Sequence, residues 1–128
     1  MLVQHHTIST NRIASLTASL DSLIKATSDR LGTFAKQGTI VQGVYVISDP
    51  DDAEVVYVGR TIKALEGLRQ RIRDHIKNSE PSDLNQKLGG DRDLAANHNV
   101  RVLPISDADE RRLTEAFATG VLNPKFNM

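Results

Sequence analysis

Apolar residues along the first part of the chain recur at helical steps. Ile13, Leu16, Leu20, Leu23, Ile24, Leu31 and Phe34 are separated by intervals that include three, four and seven, which predicts an amphipathic N-terminal helix over residues 11–36. Asn11 is placed to cap its start, and Gly32 weakens the pattern near its end. Such a stripe must cover something, and two solutions fit its alternating three- and four-residue steps equally. One is the chain's own sheet; the other is the same helix of a second copy, giving a homodimer through the 11–36 helix.

The period changes after Ile40. The runs Val44-Tyr45-Val46-Ile47 and Val55-Val56-Tyr57-Val58 are short and rich in β-branched and aromatic residues, and Asp49-Pro50-Asp51-Asp52-Ala53 between them supplies turn chemistry. They read as a hairpin whose strands are covered on both faces. A five-residue loop would pair Ser48 with Glu54 and set Tyr45 opposite Tyr57. A helix is expected over 61–77, with Leu68, Ile72 and Ile76 as its buried stripe, then loop and short helix over 78–98. A third strand follows over 100–105, where Pro104 marks an end or an edge. Ser106 or Asp107 can cap a last helix running to about Thr119, packed through Leu113, Ala116, Phe117 and Gly120. The expected fold is α/β (α+β): a small, three-stranded, mainly antiparallel sheet flanked by helices. Residues 1–38 would form a helical extension and 39–128 the main unit.

Composition narrows the chemistry. The 128 residues contain no cysteine, which excludes disulfides, thiolate metal sites and cysteine nucleophiles. No apolar run approaches the ~20 residues needed to span a bilayer, and residues 1–6 lack a secretory signal pattern, so no membrane role and a cytoplasmic location are expected. Lys and Arg number 16, as do Asp and Glu, so the formal net charge is +0. Net neutrality disfavours a strongly DNA-binding domain, but the charge is unevenly spread. Arg60, Lys63, Arg69, Arg71, Arg73 and Lys77 outnumber Glu66 and Asp74 within one short segment, which could face phosphate.

Five pieces in a fixed order carry the chemistry. Gly43-Val44-Tyr45 lies in one hairpin run and Tyr57-Val58-Gly59 in the other, with eleven residues between the tyrosines. Arg71 and His75 follow, four apart on a helix. Glu115 stands on the last helix, and Pro124 and Asn127 come nine and twelve residues later. At 100° per residue, Arg71 and His75 project beside the Leu68-Ile72-Ile76 stripe, at the margin where a polar pocket can open. An arginine there can hold a phosphate oxygen. A tyrosine base faces the difficulty of an ordinary pKa near 10, and His75 is either a more conventional base or the residue that orients Tyr45. His5, His6 and His98 match no motif and are expected at the surface.

This order and spacing, from Gly43 to Asn127, resembles the GIY-YIG nuclease family. The resemblance implies a metal-dependent DNA endonuclease that leaves 5′-phosphate and 3′-hydroxyl ends. It implies catalytic roles for Tyr45, Tyr57, Arg71, His75 and Glu115, with one or both tyrosines helping to activate water. Glu115 would be the ligand of Mg²⁺ or Mn²⁺. Gly43, Gly59 and Asn127 would support the site, and Arg60, Lys63 and Arg69 would contact DNA. The chain departs from the family in having Ala118 and Thr119 where large aliphatics are common. The other class of function compatible with the fold is a nucleic-acid-binding or assembly module of weak activity.

Overall fold

Alternation along the two central runs decides the layers. The computed structural model describes residues 2–62, 67–77, 80–81 and 83–127, with side chains from residue 11 onward. Strand β2 (Gly43–Ser48) is buried along its whole length. It pairs antiparallel with β3 (Val55–Arg60) on one side and β4 (Asn99–Pro104) on the other. A two-residue strand β1 (Asp29–Arg30) pairs with β4, so the described residues form a four-stranded sheet ordered β1-β4-β2-β3. The fourth strand corrects the expected three. Its backbone pairs with β4 and the Arg30 guanidinium donates to the Pro50 and Asn97 carbonyls, but both its side chains are exposed polar groups and no apolar run announces it.

Helices cover both faces. On one side α1 (Leu2–Lys25) and α6 (Ala108–Leu122) close over Val44, Val46 and Val58, with Leu20, Leu23 and Ala118 in the contact. On the other side lie α2 (Leu31–Gln37), α3 (Gly67–Lys77), α4 (Leu84–Lys87) and α5 (Arg92–Ala96). Their core joins Leu31, Phe34, Leu68, Ile72 and Leu84 to Tyr45, Ile47 and Val100 of the sheet.

The expected 11–36 helix is in fact two helices broken by β1, and the first begins at Leu2 rather than at Asn11. The break falls where the apolar stripe skips from Ile24 to Leu31. The intervening Thr27, Ser28 and Asp29 hydrogen-bond readily outside a helix. Leu16, Leu20 and Leu23 are buried within the chain, Leu20 and Leu23 in the core beneath α1, while Ile13 is 57% exposed. Burying a leucine is worth about 1.5–3 kcal/mol. A dimer seam using the same residues would forfeit that contact, so the stripe serves the chain's own sheet.

Three further expectations change. The helix expected over 61–77 starts at Gly67, which adopts a positive φ of 54°; residues 63–66, including Lys63, lie outside the described residues. The last helix runs to Leu122, with Asn123 in the left-handed region as its C-cap, and Asp107 caps its start by accepting from the Glu110 N–H. Its buried face is Arg111, Thr114 and Ala118, whereas Ala116 and Gly120 are exposed. Arg111 can be buried because its guanidinium donates to the Thr61, Ile105 and Ser106 carbonyls at 3.1, 3.0 and 2.8 Å. His98 is only 3% exposed, because its Nδ1 bonds the Leu94 carbonyl at 2.8 Å and its own carbonyl accepts from the Leu31 N–H. No helix among the described residues is long and apolar enough to cross a membrane.

Candidate active site

The hairpin register differs from the expected one by a bulge. Asp49 N–H donates to the Glu54 carbonyl inside the turn, Ser48 pairs with Val55, and the next pair is Ile47 with Tyr57. Val56 is therefore the extra residue, and Tyr45 stands opposite Gly59 rather than Tyr57. The two tyrosines still share a face as diagonal neighbours. Their rings lie nearly parallel, 7° apart, with centroids at 6.2 Å.

Gly59 follows from this register. A Cβ built on it would come within 2.4 Å of the Tyr45 hydroxyl and 2.5 Å of Cζ, so the phenol lies across a position that only glycine can occupy. Gly43 is constrained in the same way: its Cβ would meet the Leu103 carbonyl at 2.4 Å and Leu68 Cδ1 at 2.9 Å. Gly43 and Thr61 also bond each other twice, Gly43 N–H to the Thr61 hydroxyl and Thr61 N–H to the Gly43 carbonyl.

Helix α3 brings Arg71 and His75 to the tyrosines. His75 is fully buried and meets both rings edge-on, at 5.5 Å from Tyr45 and 4.6 Å from Tyr57. Its Nε2 lies 2.8 Å from the Tyr45 hydroxyl, and its Nδ1 accepts from the Leu84 N–H at 2.9 Å. A neutral imidazole that accepts at Nδ1 carries its proton on Nε2, so His75 donates to Tyr45. Burial, reinforced by the Arg71 charge, holds the His75 pKa well below 6.5 and keeps the ring neutral.

Arg71 is half-buried. Its Nη1 donates to Asp83 Oδ1 at 3.0 Å, with Asp74 more distant at 4.0 Å. Burial raises the pKa of both tyrosines, and the Arg71 charge opposes it in each case. Burial works against the Arg71 charge too, but Tyr45 and Asp83 outweigh it and leave the pKa above the ordinary arginine value.

Glu115 projects from the flank of α6, between the buried Arg111 and Ala118, into a cavity of about 610 Å³ lined also by Tyr57, Lys87, Thr119, Phe126 and Asn127. Its carboxylate forms an ion pair with Arg60 from the end of β3. Among the described residues no cluster of three or more His, Asp or Glu side chains is gathered for a metal. The donor set therefore offers a divalent cation one hard carboxylate beside open cavity, with room for water and phosphate to complete its shell.

The chain end closes the site. Asn127 grips the Val58 peptide on both sides, accepting from its N–H at 2.8 Å and donating to its carbonyl at 2.7 Å. The Lys125 and Phe126 N–H groups bond Val55 and Val56, so the tail covers the open edge of β3. Pro124 is buried at the corner where the tail leaves α6.

The fold thus gathers Tyr45, Tyr57, Arg71 and His75 around one contact, with Glu115 and Asn127 on the cavity beside Tyr57. Two residues expected at DNA have partners within the chain: Arg60 on Glu115, and Arg69, whose Nε donates to the Gly38 carbonyl at 2.8 Å. Sequence reasoning missed Asp83, Leu84, Lys87 and Arg111. Of these, Asp83 had a legible signal as a cap-type residue before a short helical run, but nothing in the sequence joins it to Arg71.

Among solved structures the chain is similar to the GIY-YIG N-terminal endonuclease domain of UvrC from Thermotoga maritima bound to its catalytic magnesium. That match has 15% identity, covers 78% of this chain and 98% of that one, and has a TM-score of 0.56. Two point variants of the same domain, also bound to the catalytic divalent cation, match with 14% and 15% identity, 78% and 97% coverage, and TM-scores of 0.56. No protein-family model and no curated protein matches the chain. Its fold is GIY-YIG-like.

Proposed function

We propose that this chain is a divalent-cation-dependent endonuclease that hydrolyses DNA phosphodiester bonds. The observation that carries the reading is the Tyr45–His75–Leu84 chain of hydrogen bonds set beside Arg71, with Glu115 on the adjoining cavity. Likeness to the UvrC domain supports the fold underlying this reading.

His75 cannot take the Tyr45 proton, because Nδ1 is occupied as an acceptor and a proton already sits on Nε2. It acts on Tyr45 instead. The Nε2–H fixes the phenol and stabilises negative charge on its oxygen, as the Arg71 guanidinium does. Tyr45 acts as tyrosinate: its phenol proton first leaves to solvent, and the Nε2–H and the Arg71 guanidinium stabilise the charge left behind. The oxygen then receives the proton of the attacking water, which Tyr57, half-exposed on the cavity, positions. Arg71 holds a non-bridging phosphate oxygen with N–H groups other than the one given to Asp83. Glu115 holds Mg²⁺ or Mn²⁺, whose charge stabilises the leaving oxygen when it is bound. Arg60, released from Glu115, and Lys63 and Arg69 contribute charge toward the DNA backbone. Gly43, Gly59 and Asn127 keep the two strands in place.

The test is incubation with supercoiled plasmid and Mg²⁺ or Mn²⁺. Nicked or linear product with 5′-phosphate and 3′-hydroxyl ends is expected. Plasmid left intact with both ions would overturn the proposal.

A further inference from the structure

Asp83 occupies the N-cap position of α4 but does not behave as a cap. The same residue type caps α5 and α6: Asp91 and Asp107 turn their carboxylates onto the Leu94 and Glu110 N–H groups. Asp83 has similar extended backbone angles, φ −81° and ψ 144°, yet its side chain makes no capping bond. It reaches α3 instead, where Oδ1 accepts from Arg71 Nη1.

This carboxylate is almost completely buried, and no hydrogen-bond partner meets its Oδ2 among the described residues. A buried carboxylate with one oxygen unpaired is unfavourable for folding alone. A turn of the cap kind would satisfy it locally. The geometry is explained if the group serves the guanidinium.

The next two residues continue the contact. Leu84 N–H donates to His75 Nδ1 at 2.9 Å, and Asn85 Nδ2 donates to the Ile76 carbonyl at 2.6 Å. Three consecutive residues therefore brace one turn of α3, the turn that carries Arg71 and His75. This gives the start of α4 and its cap residue a role in the site, within a stretch whose composition alone reads as loop and short helix.

We propose that Asp83 is a positioning residue for Arg71: by holding Nη1 it fixes the plane of the guanidinium and turns the remaining N–H groups toward the phosphate. The proposal rests on the endonuclease reading for its kinetic consequence, but not for the contact itself. Carboxylates that orient a site residue through a hydrogen bond typically matter by about ten- to a hundredfold in activity.

The experiment has two arms. In the first, nicking of supercoiled plasmid is followed with enzyme in excess and Mn²⁺ present, for wild type, Asp83→Ala, Asp83→Asn, Arg71→Ala and the double variant Arg71→Ala with Asp83→Ala. Asp83→Ala should be about ten- to a hundredfold slower. Asp83→Asn keeps an acceptor oxygen and should lose less. Adding Asp83→Ala to Arg71→Ala should cost at most about twofold more, because a residue acting through Arg71 has nothing left to position. Losses that multiply in the double variant, or wild-type rates in Asp83→Ala, would overturn the proposal.

The second arm needs no activity. The guanidinium NMR signals of Arg71, identified by their loss in Arg71→Ala, should show slowed rotation about Cζ–Nη1 in wild type and free rotation in Asp83→Ala. If wild type nicks nothing, the endonuclease reading fails while this arm still decides whether Asp83 holds Arg71. If Asp83→Ala does not fold, the isosteric Asp83→Asn carries both arms: slower nicking and faster guanidinium rotation support the proposal, and wild-type values in both overturn it.

Discussion

His75 donates to the hydroxyl of Tyr45 across 2.8 Å, and it does so because the Leu84 N–H has already taken its other nitrogen. In the proposed endonuclease this hydrogen-bond pattern assigns different tasks to two residues that could each serve as base. Tyr45→Phe removes one hydroxyl and leaves the ring packing against Gly59. It should lower cleavage by about a hundredfold or more, the range of a positioned proton acceptor, with melting little changed. His75→Ala should also slow cleavage, and its rate should not be restored by added imidazole, since the missing group is a donor locked to the backbone. Imidazole rescue following the free-base concentration would return the proton-accepting role to His75.

Buried neutral His75 also makes stability depend on pH. Its folded pKa lies well below 6.5, whereas the unfolded chain protonates near 6.5. Below pH 6.5 the unfolded state therefore binds more protons, and stability falls as pH is lowered toward the folded pKa. Above 6.5 the contribution is fully present. Denaturant unfolding between pH 7.5 and 5.5 should show a decline approaching about 1.4 kcal/mol per pH unit at its steepest. His75→Gln should flatten that decline, and an unchanged slope in the variant would assign it to other groups.

Gly59 gives a test of packing. Alanine there would place Cβ within 2.4 Å of the Tyr45 hydroxyl. Gly59→Ala should destabilise by about 1–3 kcal/mol through overpacking and should displace Tyr45 enough to impair cleavage. Gly120→Ala, on an exposed helical face with nothing within 4 Å of the added Cβ, serves as the control and should match or exceed wild-type stability.

Much of this arrangement is legible in the sequence, and the failures have physical causes. The continuous apolar run Val44–Ile47 and the Leu68-Ile72 part of the α3 stripe bring hairpin and helix together, because large apolar groups set those faces. The expected third member, Ile76, is only half-buried, and the polar His75 takes the buried position through its own hydrogen bonds. The hairpin register is not legible. Val55 and Val56 are chemically alike, so nothing in their side chains says which one bulges. The buried face of α6 is not legible for a related reason: Arg111 and Thr114 are polar by composition, but Arg111 finds three backbone carbonyls in the loops around it. The brace at Asp83–Asn85 is a tertiary contact between polar groups, and polar spacing carries no period from which to infer it.

The Arg60–Glu115 pair sets up a competition. Both side chains are about a quarter exposed, 27% and 24%, so the pair is worth on the order of 1 kcal/mol. A divalent cation held by Glu115, as proposed, would compete with Arg60 for the carboxylate. Arg60→Ala should therefore bind Mn²⁺ about fivefold more tightly in a calorimetric titration, while binding DNA more weakly. Weaker Mn²⁺ binding in this variant would show that the arginine does not compete for the site.

In the proposed endonuclease, one carboxylate at the edge of this hydrogen-bonded cluster makes phosphodiester cleavage dependent on a divalent ion. This dependence is tested most directly by comparing plasmid nicking by wild type and Glu115→Gln in Mn²⁺ and in excess EDTA, with the fold of each checked by thermal melting. Wild type should nick only with the ion, and the folded Glu115→Gln variant should lose at least about a hundredfold in rate, comparable to removing one preorganised electrostatic stabiliser. Wild-type cleavage in EDTA, or a Glu115→Gln variant as fast as wild type, would contradict this role of Glu115.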